Sequence, residues 1–270
     1  MIGSKSELYH HGVKGMKWGV RRYQNKDGSL TNAGKVRYYE ESGKIIKTNK
    51  DGSKTIPSGF VFNRVGKSSM DINQSGALYV SYGKDDAARY VKNLGPTPLA
   101  KFLHTAGESV QHIKAKQNLK MASDSQTAKE TANLLLSNKK LFDSFSQSIF
   151  SVSYTGSLEG DVSKDSIRKV LKNPSCKDAQ KLGYAVSSFL ADPNYVGESK
   201  EIYKHFRNKG YDAIPDLHDT LSGTSKTAMI VINPNKLEIT STTRITKDVM
   251  KDAKEYVKSI EKLTVNELIK

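Results

Sequence analysis

Short β-rich runs stand at both ends of the body of this chain, and a long stretch patterned for helices lies between them. Phe60 to Val65 (FVFNRV) alternates apolar and polar positions as a half-buried strand does, and Ala77 to Ser81 (ALYVS) is a second short run. Towards the other end, Ala228 to Asn233 (AMIVIN) is bounded by Pro234-Asn235 and followed by a short run at Leu237 to Thr240. Between them, Ser125 to Ser137 places Ala128, Ala132, Leu135 and Leu136 on one helical face, and Leu141 to Phe150 continues the pattern. Ser163 to Leu171, Lys177 to Leu190 and Glu198 to Lys209 read as three more amphipathic helices, with Gly210 placed to cap the last. A helix over Lys84 to Leu94 carries Asp85 and Asp86 in its first turn, where the helix dipole favours acids, and Gly95-Pro96 stops it. Thr246 to Leu263 reads as a terminal helix. Strands that pair across a helical insertion imply an α+β domain over 56–270, with the insertion at about 106–209.

Residues 1–55 have a different character. Glycines at Gly12, Gly15 and Gly19 interrupt any helix at about 1 kcal/mol each. The segment holds the single tryptophan, Trp18, and ends in TNKDGSKTIPSG, a turn-rich connector. Net charge is +15, and residues 1–50 supply eleven Lys/Arg against four Asp/Glu. We therefore expect a basic N-terminal arm that docks on a partner through Trp18, Arg21 and Arg22.

Other chemistry is narrowed by what the chain lacks. One cysteine, Cys176, excludes an intramolecular disulfide and any site built on several cysteines. No apolar run approaches the ~20 residues of a membrane span, and the N-terminus has no apolar segment of the secretory kind. The histidines show no metal-ligand spacing, so no metal is expected. Neither a Gly-rich phosphate loop nor a GxSxG nucleophile elbow is present.

Three blocks remain as candidate chemistry. Arg64 ends the FVFNRV run, where a guanidinium can grip a phosphate or ribose; the plain alternative is an exposed strand-end arginine. LYVSYGKDDAARYVKNLG sets Ser81 at a strand end, with Tyr82 and Tyr90 around the following helix, so that aromatics could sandwich a planar ring. Core packing explains such tyrosines equally well. GYDAIPDLHDT puts Asp212, Asp216 and Asp219 on a polar loop before a buried strand, a common setting for carboxylates that polarise a hydroxyl. A simple turn has the same composition.

Taken together, these blocks and the late G-Y-D-x-I … I-V-x-N-P-x-K-L-x-I segment resemble phage and mobile-element ADP-ribosyltransferase-like domains. The resemblance covers roughly 56–105 and 200–242 and implies a split mixed or antiparallel sheet with an inserted helical region. It implies NAD as substrate, Arg64 on the ribose and phosphate, and Ser81 with Tyr82 and Tyr90 framing the nicotinamide. It further implies a late acid (Asp216, Asp219 or Asp212) stabilising the charge that develops on the ribose. Such domains usually carry a glutamate directly before the late strand, where this chain has Lys226, Thr227 and Ala228. The leader, H-x-G-x-K-G-M-K-W-G-V-R-R with its N-x-D-G-S-L-T-x-x-G-x-x-R-Y tail, resembles a segment of minor head and other structural proteins of phages of Gram-positive bacteria. That second resemblance implies a capsid or packaging partner.

The expected function is an ADP-ribosyltransferase-like phage effector, located in the virion or the host cytoplasm, that modifies a host protein. The alternative is a non-enzymatic virion or anti-defence protein that works by binding a host protein or ligand. A nucleic-acid-binding module ranks last, because the charge concentrates in the leader and the body lacks an aromatic platform.

Overall fold

Two β-sheets share one apolar core, and each carries helices on its outer face. The computed structural model describes residues 44–67, 70, 72–96, 107–152, 172, 176–221 and 224–268. Its first strands are β1 (Lys47–Thr48), β2 (Lys54–Ile56), β3 (Val61–Gly66) and β4 (Leu78–Val80), followed by helix α1 (Lys84–Leu94). Strands β5 (Ser109–Ala115) and β6 (Leu119–Met121) come next, then helices α2 (Asp124–Ser137), α3 (Lys139–Val152), α4 (Cys176–Ala191) and α5 (Val196–Asn208). The chain returns through β7 (Ala213–Pro215), the short α6 (Leu217–Leu221), β8 (Met229–Val231), β9 (Leu237–Arg244) and α7 (Lys247–Leu268).

One sheet is six-stranded and mixed, in the order β1-β2-β6-β7-β8-β4, with β6 and β7 parallel and the other neighbours antiparallel. The other is antiparallel, in the order β3-β5-β9. Side-chain alternation along β4 and β8 explains the layering. Leu78, Val80, Met229 and Val231 join Phe62, Ile113 and Leu237 of the smaller sheet in the shared core. Ile230 and Tyr79 point the opposite way, into a cluster with Leu135, Phe145, Phe189 and Phe206 of helices α2 to α5. On the far side, Val110 of β5 packs with Ala88 and Val91 of α1 and with Val249, Ala253 and Val257 of α7.

Local signals account for the boundaries. Ser123 caps α2 in a reciprocal box, accepting from Gln126 N–H while its own N–H donates to Gln126 Oε1 at 2.9 Å. Gly76, at φ 85°, closes the turn that launches β4, a conformation other residues adopt only with strain.

Two element positions differ from the expected pattern. The insertion expected from about 106 opens with strands β5 and β6, and its helices begin only at Asp124. The sheet begins at Lys47, ahead of the domain start expected at 56, because β2 pairs with β6 and carries β1 with it. The helix expected at Ser163 to Leu171 lies outside the described residues, as do Trp18, Arg21 and Arg22. No helix among the described residues is long and apolar enough to cross a membrane.

Candidate functional site

Among the described residues, the two sheets meet at one isolated bridge. Asn63 of β3 donates its N–H to Ser81 O at 2.7 Å, and Ser81 N–H returns the bond to Asn63 O at 2.9 Å. Beside this bridge lies a cleft of about 160 Å³, and Asn63, Arg64, Tyr79 and Ser81 contribute to its wall. Tyr90 and Leu94 of α1 line it too, as do Asp216 and Asp219 at the β7–α6 corner. A cavity of ~150 Å³ is enough to hold a benzene ring.

The acids occupy different electrostatic states. Asp216 is 4% exposed. Burial, reinforced by the Asp219 charge, pushes its carboxyl up to about 6. Burial also works to raise Asp219, but there it is outweighed: hydrogen bonds from His218 and Tyr90, with the His218 charge, hold this carboxyl below the usual range. Tyr90 Oη donates to Asp219 Oδ2 at 2.5 Å, and His218 Nδ1 lies 3.2 Å from Asp219 Oδ1. The same contact with Asp219 raises the His218 imidazole, and the ring leans on Tyr184 at 4.9 Å between centroids. Two neighbouring carboxyls driven apart in this way leave one fixed anion and one group that exchanges a proton near neutrality.

Asp216 owes its place to the backbone. Its N–H donates to Ala228 O at 3.1 Å, so the end of β7 sits against the residue immediately before β8. A loop carboxyl is thereby brought beside the position at which the resemblance called for a glutamate. The residues found there have another job. Asp86, buried in the first turn of α1, accepts from Ser225 Oγ at 2.6 Å, from Lys226 N–H and Thr227 N–H, and from Thr227 Oγ1 at 2.6 Å. Thr227 Oγ1 in turn receives the Tyr82 and Gly83 N–H groups at 3.0 Å each, fastening the β4–α1 turn to the strand β8 side of the cleft.

Of the residues singled out in the sequence, Arg64, Ser81, Tyr90, Asp216 and Asp219 line the cleft. Arg64 Nη1 donates to Gln111 Oε1 at 3.3 Å, and its guanidinium lies over Gly66. Tyr82 is placed elsewhere: its ring packs edge-on against Phe60 at 5.6 Å, beside the core between the sheets. Asp212 is also elsewhere, pairing with Lys236 at 2.7 Å, Asn233 Nδ2 at 2.6 Å and Lys120 N–H at 3.0 Å, as a buried brace of β6, β7 and β8. Asn63 and His218 were not anticipated. The signal for Asn63 is an amide beside Arg64 in a strand whose other side chains are apolar, and for His218 its position directly before Asp219. Among the described residues no group of three or more His, Cys, Asp or Glu is arranged to hold a metal.

Residues 1–25 match a family of unknown function (DUF7211), a stretch that lies within the basic leader. No curated protein and no solved structure matches the chain.

Proposed function

We propose that the chain is an ADP-ribosyltransferase-like enzyme that splits NAD in the cleft between its sheets and transfers ADP-ribose to a host protein. The observation that carries this reading is convergence. An arginine from β3, a serine from the end of β4, a tyrosine from α1 and two acids from the β7–α6 corner line one ring-sized cleft, although 155 positions separate Arg64 from Asp219. The split arrangement of sheets, one mixed and one antiparallel, supports the same reading.

The division of labour follows from the chemistry. Arg64 holds the ribose-phosphate side of NAD through its fork of donors. The nicotinamide ring lies against Tyr90 near Ser81. The bond from ribose C1′ to the ring nitrogen breaks, and its electron pair leaves with nicotinamide. Positive charge develops on the ribose, and carboxylates in a poorly hydrated cleft are worth most against such charge. Asp219, held ionised by Tyr90 and His218, is the standing counter-charge. Asp216 lies beside it and exchanges a proton near neutrality, so it interacts with the ribose hydroxyl and takes up the proton of the attacking group. That group on the target protein supplies the pair for the new bond to C1′. The leader, which resembles a phage structural segment, would deliver the domain with or near the capsid.

The test is incubation with adenine-labelled NAD and a bacterial lysate. Label on a discrete host protein, lost in Arg64→Ala, is the expected result. A second reading is a binding module on this scaffold, favoured by the way Asp86 commits Lys226 and Thr227 to structure at the position where the family usually keeps its acid. No label, with NAD bound but never cleaved, would establish that alternative.

A further inference from the structure

Three polar side-chain atoms beside the cleft have no hydrogen-bond partner among the described residues: Asn63 Nδ2, Asn63 Oδ1 and Ser81 Oγ. Both residues line the cleft, and each is 1% exposed. Buried polar atoms are almost always paired, so two adjacent residues left with three unmade bonds ask for a ligand. Their mutual position is fixed, because they exchange both backbone hydrogen bonds across the bridge. Residues directly opposed in this way place their side chains on one face, with Cβ atoms roughly 5 Å apart.

The two side chains define what they can recognise. An amide offers donors on one edge and an acceptor on the other, and a hydroxyl both gives and takes. The complement is a neutral group that also carries one acceptor and one donor on the same carbon. A primary carboxamide meets this description in either orientation of the Asn63 amide. A carboxylate does not. It offers acceptors only, leaves Asn63 Oδ1 facing another oxygen, and adds negative charge to a cleft that already holds Asp216 and Asp219. An ester or ketone lacks the donor.

We infer that Asn63 and Ser81 form a carboxamide-recognition subsite and that, on the transferase reading on which this assignment rests, they hold the carboxamide of the nicotinamide group. Asn63 is then a specificity-determining residue. It aligns the leaving ring, and Arg64, its neighbour in β3, is directed to the phosphate side.

The experiment is a ligand-observed NMR titration of the full chain with nicotinamide and with nicotinic acid near pH 7.5. We expect nicotinamide to bind and nicotinic acid to bind at least ~10-fold more weakly, as leaving a buried polar partner unpaired implies. Asn63→Leu, similar in size but without hydrogen-bonding atoms, should weaken nicotinamide by at least ~10-fold, and Ser81→Ala by less. The wild-type ligand pair needs no variant to fold, and far-UV circular dichroism qualifies the variants. Equal affinity for the two ligands, or no binding of nicotinamide, overturns the subsite. The parent reading fails separately. Selective nicotinamide binding without NAD cleavage keeps the subsite and removes the transferase, whereas NAD cleavage with an unchanged KM in Asn63→Leu keeps the transferase and removes the subsite.

Discussion

Asn63 and Ser81 exchange N–H and C=O across two sheets, at 2.7 and 2.9 Å, and that bridge is where the three-stranded sheet is joined to the six-stranded one. The β3 and β4–α1 walls of the cleft hang from this junction. Arg64 follows Asn63 on one strand, and the segment after Ser81 turns into α1, which carries Tyr90. The acids arrive independently, through the hydrogen bond from Asp216 N–H to Ala228 O.

A buried acid whose carboxyl is raised costs stability once it ionises. Asp216 stands at about 6 in the fold against 3.8 unfolded. Folding therefore favours its protonated form, and stability falls as pH rises from roughly 4 to 6. The groups facing it are Asp219 and His218 on α6, Tyr90 on α1, Tyr79 on β4 and Tyr203 on α5. At pH 8 the cost is roughly 3 kcal/mol. Asp216→Asn should accordingly melt higher than wild type at pH 8, with the gain shrinking towards pH 4.5. A variant that melts lower at pH 8 would count against the assigned state.

The same carboxyl should shape the rate. Asp216 works ionised, so kcat/KM for NAD cleavage should decline as pH falls through about 6. His218, whose imidazole is raised by its hydrogen bond to Asp219, strengthens the Asp219 anion when protonated without removing that limb. A pH profile on Asp216→Asn should lack the limb. Its persistence would assign the titration to another group.

Gly66 offers a way to disturb Arg64 without touching it. A Cβ at Gly66 would sit 2.6 Å from Arg64 Nη1, the mobile end of a flexible side chain, so the guanidinium yields and the strand stays. Gly66→Ala should change stability by less than about 1 kcal/mol while raising KM for NAD by roughly 10-fold, the loss expected for a displaced charged hydrogen bond. An unchanged KM would remove Arg64 from substrate binding.

Asp86 and Asp212 should behave as structural acids. Asp86→Ala strips an acceptor from Ser225, Lys226 and Thr227 and should cost roughly 3 kcal/mol or more. Asp212→Ala, which frees Lys236 and Asn233, should also destabilise, yet keep the specific activity of its folded fraction. Chemical denaturation read beside NAD turnover separates the cases. Loss of turnover at full folding in Asp212→Ala would restore that residue to the catalytic set.

Much of this molecule was readable in its sequence where periodicity was clean. Lys84 to Leu94 forms the expected helix, bounded by acids and Gly95, and the FVFNRV, ALYVS and AMIVIN runs became β3, β4 and β8. Strand β5 was missed because it is central in its sheet: SVQHIKA is buried on both faces, Gln111 and His112 included, so no alternation marks it. The lysines and threonines of β1 and β2 carry no pattern in the connector; β2 becomes a strand by pairing with β6, and β1 by pairing with β2. In the site, spacing brought out Asp216 and Asp219. Nothing local distinguished Asp212 from them, since its role depends on Lys236 and Lys120, far along the chain.

The most direct test is nicotinamide release from NAD by wild type and Asp216→Asn, compared at equal folded protein. We expect measurable release by wild type and a rate lower by roughly 10²–10³ in the variant, the loss typical of removing a positioned acid–base group. No release by wild type, or release undiminished in Asp216→Asn, would contradict the assignment of this cleft as an NAD-splitting site.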